Sequence, residues 1–253
     1  MDALALAGLG VAAAAAGAVN AIAGGGTLIS FPALLAVGFP AKVANVTSTV
    51  AIWPGTVGGS LAYRRELASR KQRLFKLTVP AVLGAAVGSV LLLATSQRLF
   101  DAVVPFLVLF ASLLLALNSR LAALATRRGL GAREEGHLPP LLHLSIFGAG
   151  VYGGYFGAGL GIVTLAAMSI FAPDDMQHAN AVKGMLALLV NFVAVVIFAA
   201  FGPVEWGPAA LMAVCAIGGG YAGVSLARRL NAQLLRNLIV VWGLVMSGWL
   251  FLR

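Results

Sequence analysis

Ala18 to Gly55 reads AVNAIAGGGTLISFPALLAVGFPAKVANVTSTVAIWPG. An apolar run that begins near residue 3 stops here at three consecutive glycines, Gly24, Gly25 and Gly26. The next apolar run covers only about residues 27–37, well short of the roughly 20 residues that cross a bilayer core. A polar cluster follows, Asn45, Thr47, Ser48 and Thr49, and then Trp53-Pro54-Gly55-Thr56 inside a third apolar run. A helix that ends on glycines, restarts as a short helix and is followed by buried hydroxyls and amides is the pattern of a discontinuous membrane hairpin.

The rest of the chain supports a membrane setting. Hydrophobic residues make up 60% of it and charged residues 10%, with a mean hydropathy of +0.97. Soluble domains carry about 25% charged residues, so this surface must face lipid rather than water. Apolar runs lie near 3–21, 27–37, 43–62, 75–95, 100–118, 138–156, 160–172, 179–201, 207–227 and 236–252. The N-terminus has no basic region or small-residue cleavage site before Asn20, so no cleavable signal peptide is expected. Cys215 sits alone in an apolar run and reads as a small buried apolar residue.

The net charge of +9 does not indicate nucleic acid, because the cations are not spread over a surface. Of the 17 Lys and Arg, six fall in 63–76, four in 118–137 and three in 228–236. Basic stretches between apolar runs mark cytoplasmic loops. Threading the chain through these assignments puts Met1 and Arg253 on the outer side of the membrane.

Sliding the sequence on itself by 134–135 positions brings a second hairpin into register. IAGGGTLISF (Ile22–Phe31) lies over FGAGLGIVTL (Phe156–Leu165), pairing Gly25 with Gly159 and Ser30 with Thr164. Ala44-Asn45 lies over Ala179-Asn180, Gly84 and Gly88 over Gly219 and Gly223, and Leu99 over Leu234. The basic stretch 63–76 falls on 198–211, whose sole charge is Glu205, and the near-neutral turn 95–101 falls on the basic 228–236. Equivalent loops therefore sit on opposite sides of the membrane. The expected fold is an all-α polytopic membrane protein of two inverted-topology repeats. Each has a glycine-broken hairpin, crossing or re-entrant, and three spanning helices. The boundaries are 1–118 for the first repeat, 119–137 for a cytoplasmic linker and 138–253 for the second repeat.

Polar groups inside the spans are the candidates for chemistry, since burying them without partners costs free energy. Asn20 and Gly24 to Thr27 could present helix-start N–H groups and a hydroxyl to an anion, and Gly157, Gly159 and Gly161 could do so in the second half. The same glycines could instead permit close helix packing. Asn45, Thr47, Ser48 and Thr49 could line a site, or bond back to their own helix. Asn180 and Lys183 are three residues apart and share a helix face, with Asn191 three turns beyond Asn180 on roughly the same side. Lys183 is the one Lys or Arg well inside an expected span. It reads either as a functional cation or as a lysine that reaches the membrane surface or pairs with Asp174 or Asp175. Those two aspartates suit a helix start, and His178 suits the membrane interface.

The stretch Ala18–Gly55, together with YGGYFGAGLGIVTL (152–165) and ANAVKGMLALLVN (179–191), resembles the sulfite exporter TauE/SafE family of membrane transporters. The GGGT hairpin, the ANVTST run and the ANxxK…N pattern carry the resemblance, which covers most of the chain. It implies a transporter of sulfite, organosulfonates such as sulfoacetate, or similar small anions, moved by alternating access. The substrate site would use Asn20, Gly24 to Thr27, Asn45 to Thr49, Asn180, Lys183 and Asn191. No cofactor or metal is expected. The partners are a small anion and the lipid bilayer, and monomer and homodimer are equally compatible with the sequence. An anion channel, or a carrier of another small anion, shares these features. An intramembrane enzyme would need HExxH, facing aspartates or a Ser–His pair. HExxH is absent and Asp174 and Asp175 are adjacent on one segment, so an enzyme is not expected.

Overall fold

The computed structural model describes residues 1–22, 25–62, 67, 69–128, 138–171, 176–227 and 232–252. Among these residues the chain forms ten helices and no strand. They are α1 (Ala3–Ile22), α2 (Thr27–Ala36), α3 (Ala41–Ala62), α4 (Lys71–Ala94) and α5 (Gln97–Arg128), then α6 (Pro140–Tyr155), α7 (Leu160–Phe171), α8 (Met176–Phe201), α9 (Trp206–Ala227) and α10 (Ala232–Leu252). Five of them, α1, α4, α5, α8 and α10, contain stretches long and apolar enough to cross a bilayer. This is a multi-pass membrane protein. The two short helices, α2 and α7, follow the two glycine clusters, as the sequence anticipates.

One boundary differs. Helix α5 continues past residue 118 to Arg128, into the segment read as a linker. Leu121, Ala122, Ala123, Leu124 and Ala125 are strong helix formers. At about 1.5 Å per residue the helix is longer than a bilayer core of about 30 Å is thick, so one end projects beyond it.

The exposed surface is apolar where a soluble protein's would be polar. Phe75, Leu83, Val87, Val90, Phe106, Val241 and Val245 are exposed, whereas Ser30, Asn45, Thr47, Ser48, Ser89 and Ser112 are buried. Apolar residues exposed along whole helices would aggregate in water and are at home in lipid. The main apolar core takes residues from both halves of the chain, among them Phe31, Phe100, Phe156 and Phe198.

The helices pack across the halves. Helix α1 lies against α9, and α6 lies against α4. A side chain at Gly219 or Gly223 would strike the α1 backbone at Ala14 or Ala18, and one at Gly84 or Gly88 would strike the α6 backbone at Phe147 or Val151. Both pairs run parallel, since the contact points advance together along the two chains. Small residues let these backbones approach, and in lipid that close van der Waals contact is what holds helices together. By contrast α5 and α10 run antiparallel: Ser112 meets Gly243, Ser247 donates to the Pro105 carbonyl at 2.9 Å, and Phe106 meets Phe251. Helices α3 and α8 are antiparallel too, with Trp53 Nε1 donating to the Leu188 carbonyl at 3.2 Å and Thr47 Oγ1 accepting from the Glu205 N–H just past the end of α8.

Candidate functional site

The first break lies between α1 and α2. Asn20, in the last turn of α1, folds its side chain over the break and its Oδ1 accepts the N–H groups of Gly25 (3.1 Å) and Gly26 (2.8 Å). Gly25 has φ +119°, a conformation that other residues rarely adopt. Gly26 abuts the Ala16 carbonyl so closely that no side chain fits. Helix α2 then starts with Leu28 and Ile29 donating to the Gly25 and Gly26 carbonyls. Asn20 is thus a cap supplied from within the chain, meeting two of the donors that an anion at this helix start would otherwise meet. Thr27 is buried in the first turn. Gly24 lies outside the described residues.

The second break lies between α6 and α7. Tyr152 organises it: its carbonyl accepts from the N–H groups of Phe156 and Gly157, and its hydroxyl donates to the Ala158 carbonyl. Gly157 and Gly159 have φ of +80° and +76°. Phe156 packs edge-on against Phe31 of α2 with ring centroids 5.7 Å apart, so the two hairpins touch.

Three of the four polar residues at the start of α3 reach other elements. Asn45 Nδ2 donates to the Tyr155 carbonyl at the end of α6 (3.0 Å). Ser48 and Ser30 share a buried hydrogen bond of 2.6 Å between α3 and α2. Thr47 holds the N–H of Glu205. Thr49 alone bonds back to its own helix, at the Asn45 carbonyl.

On α8, the Lys183 ammonium donates to Asn180 Oδ1 at 2.9 Å, as their spacing suggests. The Lys183 stem lies along Gly161, where a Cβ would come 3.5 Å from its Cδ. Arg236 of α10 is close enough for its charge to act on Lys183. Asn191 Nδ2 donates to the Ala187 carbonyl, and its Oδ1 faces Gly157, 3.5 Å from where a Cβ would sit. Asp174 and Asp175 lie outside the described residues.

These residues do not form one cluster. Helices α3 and α8 meet at Trp53 and Leu188 and run in opposite directions. Asn45 is eight residues from that crossing on one side and Lys183 five residues on the other, which separates them by up to about 20 Å along the helices. Two polar centres result, one at the second break around Asn45, and one around Asn180 and Lys183.

Three contributors escape a reading of the sequence. Lys42, just before an apolar run, donates to the Leu93 and Thr95 carbonyls (2.7 and 2.8 Å) and caps α4. The Tyr155 hydroxyl donates to Thr95 Oγ1 at 3.3 Å, adding a tie between α6 and the end of α4. Trp242 Nε1 donates to the Leu28 carbonyl at 3.1 Å, the group left without a helical partner by Pro32 four residues on. Pro32 is the visible signal, but its partner is set by tertiary packing.

Two helices that restart on glycines inside a multi-pass bundle, with a half-buried amide–ammonium pair, are features that suit a membrane transporter. The chain belongs to the sulfite exporter TauE/SafE family, whose model matches residues 9–250. It is 27% identical to a "Probable membrane transporter protein" of Haemophilus influenzae, over 91% of this chain and 88% of that one. It is 26% identical to "Probable membrane transporter protein ORF9" of Sinorhizobium sp., over 96% and 90%. It is 25% identical to "Probable membrane transporter protein YfcA" of Escherichia coli K12, over 92% and 84%. No solved structure matches the chain.

Proposed function

We propose that this protein is a secondary transporter that moves a small sulfur oxyanion, sulfite or an organosulfonate such as sulfoacetate, across the bacterial inner membrane by alternating access. Two inverted repeats, 1–118 and 138–253, would supply the moving parts. The packing supports this symmetry. Exchanging the halves turns the contact of α1 with α9 into that of α6 with α4. It also carries Gly84 and Gly88 onto Gly219 and Gly223, each pair packed against the other half's first helix. Trp53 touches Leu188, its own counterpart at an offset of 135, which is possible only beside the symmetry axis. The antiparallel pairs α3–α8 and α5–α10 are what an axis in the membrane plane requires.

The observation that carries the anion reading is the Lys183–Asn180 pair inside the bundle. An ammonium there needs compensation, which a mobile anion supplies. The sulfonate oxygens would accept from Lys183 and from the amide N–H groups of Asn180 beside it. Arg236 adds to the local positive potential. The termini would face the periplasm.

The test is uptake by proteoliposomes of purified protein, with sulfite, sulfoacetate, sulfate and acetate offered in turn. Saturable uptake of the sulfur oxyanions supports the reading, and no movement of any small oxyanion ends it. An anion channel would show large unitary currents and no counterflow.

A further inference from the structure

Asn45 is fully buried, at 0% exposure. Its amide is oriented by the bond from Nδ2 to the Tyr155 carbonyl. Reversing it would set two oxygens against each other, so Oδ1 must point the other way. There it is buried with no hydrogen-bond partner. Buried acceptors of this kind are rare and call for a ligand or ordered water.

The surroundings say which kind of ligand. Tyr155 is the last residue of α6, so the Asn45 amide sits beside the C-terminal carbonyls of that helix and the negative end of its dipole. From α8, Asn191 turns its own Oδ1 to the same break, at Gly157. Lys42, one turn before Asn45, has its ammonium engaged by the Leu93 and Thr95 carbonyls at the end of α4. On the α6 side of the break the named side-chain groups are neutral oxygen acceptors, whereas the Lys183 stem lies farther on, along Gly161 of α7. Neutral acceptors at a helix C-terminus do not suit an anion, and a divalent cation would ask for carboxylates that these residues lack. A hard monovalent cation fits, and broken-helix carbonyls with side-chain oxygens are the setting in which such ions bind in transporters.

We propose that a sodium ion binds at the break between α6 and α7, with Asn45 Oδ1 as a side-chain ligand, Asn191 Oδ1 beside it and terminal carbonyls of α6 completing the shell. Binding does not depend on the substrate; the further step, that this ion drives oxyanion transport, rests on the function proposed above. The ion would tie α3 of one half to the hairpin of the other, so its binding would favour one arrangement of the halves.

The full-length protein in detergent, in choline chloride, is titrated with NaCl or KCl at constant ionic strength while thermal unfolding is followed. Sodium is expected to raise Tm saturably, as a ligand of the folded state alone must, with a smaller effect from potassium. Asn45→Ala should abolish the sodium effect, and Asn191→Ala should weaken sodium affinity about tenfold, in the range found when groups supporting an ion site are removed. Should Asn45→Ala not fold, Asn45→Asp is expected to bind sodium more tightly. No sodium-specific shift in the wild type would mean that water alone occupies the site and would overturn the proposal; a shift retained in Asn45→Ala would overturn it as well. In proteoliposomes, oxyanion uptake indifferent to sodium would refute the coupling and leave the function standing. Sodium stabilisation without any oxyanion transport would do the reverse.

Discussion

Replacing Asn20 by alanine removes one acceptor and strands two donors. Asn20 Oδ1 holds the N–H groups of Gly25 and Gly26 at 3.1 and 2.8 Å, and both glycines are buried in the bundle. A buried donor left unsatisfied costs about 1–3 kcal/mol, so the pair costs about 2–6 kcal/mol if nothing moves in to compensate. Ordered water entering the break would reduce this toward the lower end, and about 3 kcal/mol is a reasonable centre. For a chain of this length that corresponds to a fall in Tm of roughly 6–12 °C. The single Cys215, half-buried on α9 beside Gly10 of α1, provides the assay, because a thiol-reactive dye reports its release as the bundle opens. Asn20→Asp keeps an acceptor at a site that favours negative charge and is expected to lose less than half as much. Should Asn20→Ala unfold within about 1 °C of the wild type, the capping role is wrong. A large loss in both variants would show that the amide nitrogen, and not the oxygen, matters.

Trp242→Phe leaves the Leu28 carbonyl without its donor and is expected to cost about 1–3 kcal/mol. Pro32→Ala in the same chain restores a backbone N–H for that carbonyl, so the double variant should recover most of the loss; equal losses in single and double variants would break the link between Pro32 and Trp242. Gly88→Ala and Gly223→Ala press a methyl group against the facing backbone and should each cost about 1–3 kcal/mol. Gly8→Ala, where nothing lies within 4 Å, is expected to be neutral or to gain up to about 1 kcal/mol. Thermal unfolding of the three separates them, and equal behaviour would refute the close packing of α4 on α6 and α1 on α9.

The positions of the breaks were legible in the sequence, because glycine clusters and apolar run lengths depend on local chemistry alone. Gly84 and Gly88 aligned with Gly219 and Gly223 before any packing was known, and both pairs prove to be helix contacts. The pairing of Asn180 with Lys183 followed from helical spacing. What could not be read is which partner each polar group finds. Asn20 suits an anion site and a cap equally well until Gly25 and Gly26 are seen to donate to it. Asn45 gains its meaning only from Tyr155, 110 residues away. Lys42 escaped notice because a lysine at a span end usually reaches for water, whereas this one finds the last carbonyls of α4. The gathering of all candidates into one site failed for a geometric reason: antiparallel helices carry equivalent positions to opposite sides of their crossing.

Lys183 is the residue on which the transport account turns. Counterflow of radiolabelled sulfite into proteoliposomes preloaded with unlabelled sulfite measures carrier activity free of driving-force effects. Saturable exchange is expected in the wild type. Lys183→Ala should weaken sulfite binding by at least about tenfold, the loss of a charge-assisted hydrogen bond, and Lys183→Arg should retain part of it. Exchange in Lys183→Ala with wild-type affinity would remove the lysine from the substrate site, and the absence of exchange in the wild type would contradict the account as a whole.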